Sequence, residues 1–332
     1  MLLAGCDDAA DSSPGATTQG AAKGEVVVYY SVDTTVADPI LDEFERQTGI
    51  RVVRRGDVEA SKTIGLVNRL RAERAAPAAD VFWSGEVFFT IELANEGVLA
   101  PYASPATASW PRQFVGRDNR WYGLAVRYRV IVYNTDRVSP AEAPRTLEEC
   151  LDGRWKGRIM MARPLAGTTC GDVASWFVHY GTPRAREILA GLAANQVKLV
   201  GGNATVVRNI GQGQADVGFT DTDDVYAGRR NGWPVAMVPL DQGGAGPLAI
   251  PNSVALVAGA PHGEAAGRFI DFVLSGAVER ALARSHSGNA PVQPALARQF
   301  AANRIAEPLE IDLARVAELL AASRAAAQEI LP

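Results

Sequence analysis

A two-lobed α/β fold is what this sequence predicts, on three observations. Its 332 residues are enough for two modest domains, each with its own core. From residue 25 short β-rich runs alternate with amphipathic helical segments, the pattern of a mostly parallel sheet covered by helices. From about residue 127 the same alternation starts a second time.

The first lobe opens on Glu25-Val26-Val27-Val28-Tyr29-Tyr30, a continuous apolar run of the kind buried in a parallel sheet. Asp38-Pro39 has the form of an N-cap followed by proline in the first helical turn. Ile40, Leu41 and Phe44 then make an apolar stripe, and Gly49 stands where a left-handed C-terminal glycine belongs. Ile50 to Val53 is the second strand, Ile64, Val67 and Leu70 mark the second helix, and Asp80 to Trp83 is the third strand. A helix over Glu86 to Glu96 stops at Gly97 and completes a βαβαβ unit, whose crossovers are right-handed.

In the second lobe Val130 to Tyr133, Arg158 to Met161, Val197 to Val200 and Asp216 to Phe219 read as strands. Helices are expected after Gly167-Thr168-Thr169 and from about Asn203. Ser253 to Val257 is the last clear strand, and helical pattern follows over Gly267–Leu274, Val278–Ala283 and Ile311–Ala327. This long helical tail suggests that the chain returns to its first lobe. The expected division is a tether over 1–24, a discontinuous first lobe of 25–126 with about 255–332, and a second lobe of about 127–254.

With 33 Lys and Arg against 37 Asp and Glu, the formal charge is −4 and no basic footprint for nucleic acid or an anionic membrane surface exists. Beyond the N-terminus no apolar run approaches a membrane span. Leu3-Ala4-Gly5-Cys6 resembles a bacterial lipobox, which implies lipidation of Cys6 and a periplasmic or cell-surface protein anchored to the membrane. Asp7 to Lys23, rich in Ala, Ser, Thr, Gly and Asp, reads as a flexible tether. In an oxidising compartment the other two cysteines, Cys150 and Cys170, are left as a candidate disulfide. Closing a loop of about 20 residues would contribute roughly 3 kcal/mol.

Several segments resemble, in order, the ferric-ion-binding branch of bacterial periplasmic solute-binding proteins. They are Val27-Val28-Tyr29-Tyr30-Ser31, the helix ending Phe44-Glu45-Arg46-Gln47-Thr48-Gly49-Ile50, Pro77 to Ser84, Arg127 to Asn134, Trp155 to Ile159, and Gly211 to Val217. The resemblance spans about residues 25–300. It implies a type II two-lobed fold with a hinged cleft, an extracytoplasmic component of an ABC importer, a membrane permease as partner, a monomer, and no cofactor.

Ligands of open α/β sheets sit beyond the carboxyl ends of the strands, which places three junctions at the cleft. These are Ser31-Val32-Asp33, Ser84-Gly85-Glu86 and Thr220-Asp221-Thr222-Asp223-Asp224. Gly167-Thr168-Thr169 and Gly202-Asn203 open helices whose free N–H groups suit an anion. The resemblance adds Arg127, at the place of an arginine that helps relatives hold an anion. Thr169 and Asn203 are equally readable as plain N-caps.

The resemblance breaks where the ligand is decided. Ferric-binding relatives carry two adjacent tyrosines where this chain has Asp223-Asp224, while Asp33 and Glu86 fall near a usual histidine and glutamate. Glu86, Asp223 and Asp224 are the candidates if a metal is bound. Asp33, Glu86, Asp221, Asp223 and Asp224 together call for an ammonium, a ring of hydroxyls or a hard cation. With the anion half, the expected ligand bears phosphate or phosphonate at one end and an amine or hydroxyls at the other. The alternative is ferric or another metal ion. An alternative of another class, a metal-dependent hydrolase, lacks any histidine in the acidic cluster and any Gly-x-Ser-x-Gly or phosphate-cradling motif.

Overall fold

The computed structural model describes residues 24–57, 63–241, 243–305 and 307–332. Cys6 and the expected tether up to residue 23 lie outside the described residues.

In chain order the elements are β1 (Glu25–Tyr30), α1 (Thr34–Thr48), β2 (Arg51–Gly56), α2 (Ile64–Ala72), β3 (Val81–Ser84), α3 (Phe88–Asn95) and the short β4 (Leu99–Ala100). The long strand β5 (Tyr122–Asn134) leads to α4 (Leu147–Cys150), β6 (Ile159–Ala162), α5 (Gly167–His179) and α6 (Thr182–Ala194). β7 (Lys198–Val200), α7 (Asn203–Gly211), β8 (Val217–Asp221), α8 (Thr222–Arg230), β9 (Val235–Pro239) and β10 (Ala249–Val257) follow. Five helices close the chain: α9 (Gly263–Val273), α10 (Gly276–Arg284), α11 (Pro294–Gln299), α12 (Leu313–Glu318) and α13 (Leu320–Ile330).

The strands run in the order β2-β1-β3-β10-β5-β8-β6-β7, with β4 also on β10 and β9 also on β5. β1 pairs in parallel with β2 and β3, whereas β10 is antiparallel to β3, so the first sheet is mixed. β5 divides its length between two partners. Tyr122–Tyr128 pairs with β10, and Arg129–Asn134 lies between β8 and β9. A register shift at Pro251/Asn252 and a left-handed Ala125 (φ 49°) bend this crossing. β10 is longer than the run Ser253–Val257, and its extra residues form the second crossing beside β5.

Helix α1 starts a turn earlier than Asp38-Pro39 suggests, and Pro39 lies inside it. Val36 and Ala37 extend the buried stripe of Ile40, Leu41 and Phe44, and their burial favours helix ahead of the proline. Gly49 does close the helix in the left-handed region, at φ 70°.

Four apolar clusters cover the faces of the two sheets. The C-terminal helices join them: Val316, Ala317 and Leu320 enter the core around Phe82 and Phe88, while Ala326, Ala327 and Leu331 enter the core around Trp176 and Leu189. Accordingly α12 packs on α3 and α5, and α13 packs on α5 and α6. The sequence places all of 255–332 with the first lobe, yet its last helix rests on helices of the second.

The expected disulfide is absent. Cys150 and Cys170 are both free and buried. Cys150 belongs to the core that holds Trp155 and Leu192, whereas Cys170 belongs to the core that holds Phe88 and Leu320, so the two thiols are not bridged. Burial pushes both thiols up, Cys170 to about 12.

Candidate functional site

A small cavity of about 100 Å³ opens at the carboxyl ends of β1 and β3 on one side and of β6, β7 and β8 on the other. From the first sheet it is lined by Ser31, Asp33, Thr63 and Glu86; from the second by Gly167, Thr168, Thr169, Asn203, Asp221, Asp223 and Asp224; Arg127 reaches it from the crossing strand. Eleven of the twelve residues that the sequence assigns to ligand thus meet at one place.

Ser84 is the exception. It is fully buried, bonds the hydroxyl of Ser31 at 3.3 Å and donates to Glu86 Oε1 at 3.3 Å, so it ties β3 to β1 instead of reaching the cavity. Ser31 Oγ also accepts from Gly85 N–H at 3.0 Å and from Thr63 Oγ1 at 3.2 Å. Glu86 touches the cavity, but Oε2 accepts the N–H groups of Phe88 (2.6 Å) and Phe89 (3.2 Å), which closes the first turn of α3. Burial raises its carboxyl to about 7, against the lowering effect of those N–H bonds and of Ser84. Its first duty is that of a cap.

On the opposite side two helix starts converge. The N-cap positions of α5 and α7 are Ala166 and Gly202, and neither helix has a side-chain cap. Thr169 and Asn203 are therefore not N-caps; both lie within the first turn. An Ala N-cap forgoes about 1 kcal/mol relative to Ser or Asp, and the free N–H groups it leaves suit an anion. Gly167 takes φ 58° with open space around its Cα, so the tight entry into α5 requires glycine by conformation, not by crowding. Thr169 Oγ1 donates to Asn203 Oδ1 at 2.9 Å, and Asn203 Nδ2 donates to Thr168 Oγ1 at 2.8 Å, which locks the two starts side by side.

Asp221 organises this half. Its Oδ2 accepts from Thr168 Oγ1 and, at 3.0 Å, from Asn203 Nδ2; its Oδ1 takes Arg129 Nη1 at 2.8 Å. Arg129 Nε meets Asp172 Oδ2 at 3.0 Å, and all three charged side chains are buried. Burial works to lower the Arg129 pKa, but Asp172 and Asp221 outweigh it and hold the guanidinium charged. Sequence reading missed Arg129, Asp172, Thr63 and Asn252. A signal was present for the first: a charged residue inside the apolar run Val130–Tyr133's leading edge, two positions from Arg127 and so on its face, must find a buried partner.

The acidic stretch is not a loop. Asp221 ends β8 in extended conformation, helix α8 begins at once, and Asp223 and Asp224 occupy its first turn, where the helix dipole favours carboxylates. Asp223 Oδ2 pairs with Arg127 Nη1 at 3.0 Å, and Arg127 Nη2 donates to Asn252 Oδ1 at 2.7 Å. Asp224 Oδ2 accepts from Thr220 Oγ1 at 3.3 Å. Burial raises the Asp223 pKa; Arg127 opposes this, and Asp221 and Asp33 add to it. Asp33 sits exposed at the N-cap position of α1, at the rim. Oxygens of Asp221, Asp223 and Asp224 lie within 4.8 Å of one another, but the bonds to Asp221 already commit it.

Tyr29, Tyr30, Trp83 and Trp121 are buried in the cores and do not line the cavity. Among the described residues that line it there is no tyrosine, histidine or cysteine. A larger cavity of about 1120 Å³, bordered by Trp121, His179, Glu307 and Asp312, contains none of the residues assigned above. Among the described residues no helix is long and apolar enough to cross a membrane.

Known proteins of the same shape have two lobes about a cleft. Iron-bound HitA from Pseudomonas aeruginosa superposes with a TM-score of 0.80 at 22% identity, over 92% of this chain and 99% of that one. Apo ferric ion-binding protein A from Pasteurella haemolytica gives 0.82 at 22%, over 92% and 97%. In sequence, iron uptake protein A1 of Synechocystis sp. is 28% identical over 298 residues, 86% of this chain and 80% of that protein. A putative 2-aminoethylphosphonate-binding periplasmic protein of Salmonella paratyphi A is 28% identical over 264 residues, 75% and 74% of the two lengths. The family model described as bacterial extracellular solute-binding protein matches residues 76–310. That match covers more than half of the chain, so the chain belongs to that family, the solute-binding proteins of ABC importers.

Proposed function

We propose that the cleft captures a small two-ended ligand, with phosphate or phosphonate at one end and an amine or hydroxyls at the other, and hands it to an ABC permease. The observation that carries this reading is the pairing of two uncapped helix starts and Arg127 with the carboxylates of Asp33, Asp223 and Asp224 in one cavity of about 100 Å³. Capture proceeds by closure of the lobes, since the lining comes from both, and closure adds contacts while excluding water. The 2-aminoethylphosphonate relative supports the two-ended ligand. Cys6 anchors the protein by lipid outside the cytoplasm, and the protein acts as a binder and not as an enzyme.

Ferric ion held with an anion is the second reading, favoured by the three clustered carboxylates and by relatives named for iron. It has fewer free oxygens than the cluster suggests, because Asp221 is bound by Arg129, Thr168 and Asn203. Thermal unfolding with 2-aminoethylphosphonate, inorganic phosphate and ferric citrate separates the two. A ligand at a hundred times its Kd adds about 2.7 kcal/mol of stability. A rise in Tm with the aminophosphonate is expected; a rise with ferric citrate alone would overturn the proposal.

A further inference from the structure

We infer that the Arg127–Asp223 ion pair is a stand-in for the ligand: it opens on binding, each charge takes the opposite end of a zwitterion, and a lone anion is thereby disfavoured. This rests on the two-ended ligand proposed above and adds the device that selects it.

The two arginines of β5 differ in how they are neutralised. Arg129 is held by two acids, Asp172 and Asp221, with no exposure. Among the described residues Arg127 has one ion-pair partner, Asp223, and both line the cavity with side-chain exposures of only 15% and 10%. That pair is incomplete among the described residues. Arg127 Nε and Asp223 Oδ1 are buried and have no hydrogen-bond partner, so a donor and an acceptor remain for something that enters.

Arg127 does not depend on Asp223 for its place. Asn252 accepts from its Nη2 at 2.7 Å and is itself fixed by donating to Ala125 O at 2.8 Å. Arg127 can thus turn its charge to an anion. Among the described residues Asp223, once released, has no second arginine paired with it: Arg129 is already shared between Asp172 and Asp221, and Arg163, which also lines the cavity, makes no ion pair with it. It would stand uncompensated beside Asp221 and Asp33, at the cost that removal of one partner from a buried pair incurs. An ammonium on the same ligand removes that cost. A simple phosphonate cannot, and the ion pair competes with it.

Calorimetric titration of the full chain with 2-aminoethylphosphonate and with ethylphosphonate tests this, on wild type, Asp223→Asn and Asp224→Asn. Wild type is expected to prefer the amino compound by about tenfold or more. Asp223→Asn should lose that preference and bind ethylphosphonate about tenfold more tightly than wild type does, since Arg127 is freed. Asp224→Asn should show no such gain. If wild type binds the amino compound but Asp223→Asn gains nothing for ethylphosphonate, or Asp224→Asn gains equally, the exchange is wrong while the ligand class stands. If neither phosphonate binds wild type, the ligand class itself is wrong. Should Asp223→Asn not fold, Arg127→Gln/Asp223→Asn replaces it, and retention of the wild-type preference in that variant overturns the exchange.

Discussion

Arg129 Nη1 lies 2.8 Å from Asp221 Oδ1, with neither side chain open to solvent, and through Asp221 this contact orients Thr168 and Asn203 at the starts of α5 and α7. Replacing Arg129 by Met would leave Asp172 and Asp221 buried without a countercharge. The expected loss is about 3–5 kcal/mol in urea unfolding. Asp221→Asn keeps an acceptor for one partner and should cost less. Equal losses for the two variants would show that the ion pair does not dominate.

The Phe88 ring of α3 packs directly over Gly171 of α5. A Cβ on Gly171 would fall 2.1 Å from the Phe88 ring. Gly171→Ala is therefore expected to destabilise by roughly 1–3 kcal/mol. Phe88→Leu in that background should recover part of the loss in a double-mutant cycle. Strict additivity of the two changes would remove the contact from the account.

Stability should fall as pH rises from mildly acidic to neutral. Glu86 titrates near 7 in the folded protein instead of at its ordinary 4.5, mainly because of burial. Between those values the folded chain keeps a proton that the unfolded chain has released, so this contribution is present below about 4.5 and lost through about 7. Burial also raises Asp172, Asp223 and Glu279, which act in the same direction. Glu86→Gln should flatten the dependence of Tm on pH and unfold at a higher temperature than wild type at about pH 8. An unchanged slope would exclude Glu86 as its source.

Because Cys150 and Cys170 are free in separate cores, a reductant should leave Tm unchanged. Alkylation should reach both only after unfolding, as peptide mass mapping would show. A bridged peptide carrying both cysteines in non-reduced protein would contradict this arrangement.

Much of the site was legible because helix starts and strand ends are local. Gly167-Thr168-Thr169, Gly202-Asn203 and the residues after β1, β3 and β8 announce themselves by a switch from apolar to small or polar side chains, and eleven of twelve line one cavity. What each carboxylate does was not legible. Glu86 caps α3, Asp221 serves Arg129, and Asp223 faces Arg127; an acidic residue reads the same in sequence whether it is paired, capped or free. Ser84 was misjudged for the same reason, since its neighbours Ser31 and Glu86 meet it only once β1 and β3 pair.

By itself the sequence determined the strand–helix order, the glycine that ends α1 and the chemical character of each junction, all of which follow from periodicity and backbone conformation over a few residues. Tertiary structure alone decided that β5 shares its length between two sheets, that α13 packs on α5 and α6, that the cysteines stay apart, and which acid neutralises which arginine. Those outcomes depend on contacts between residues tens to more than a hundred positions apart. Their energy comes from burial and charge pairing in three dimensions, which no local pattern encodes.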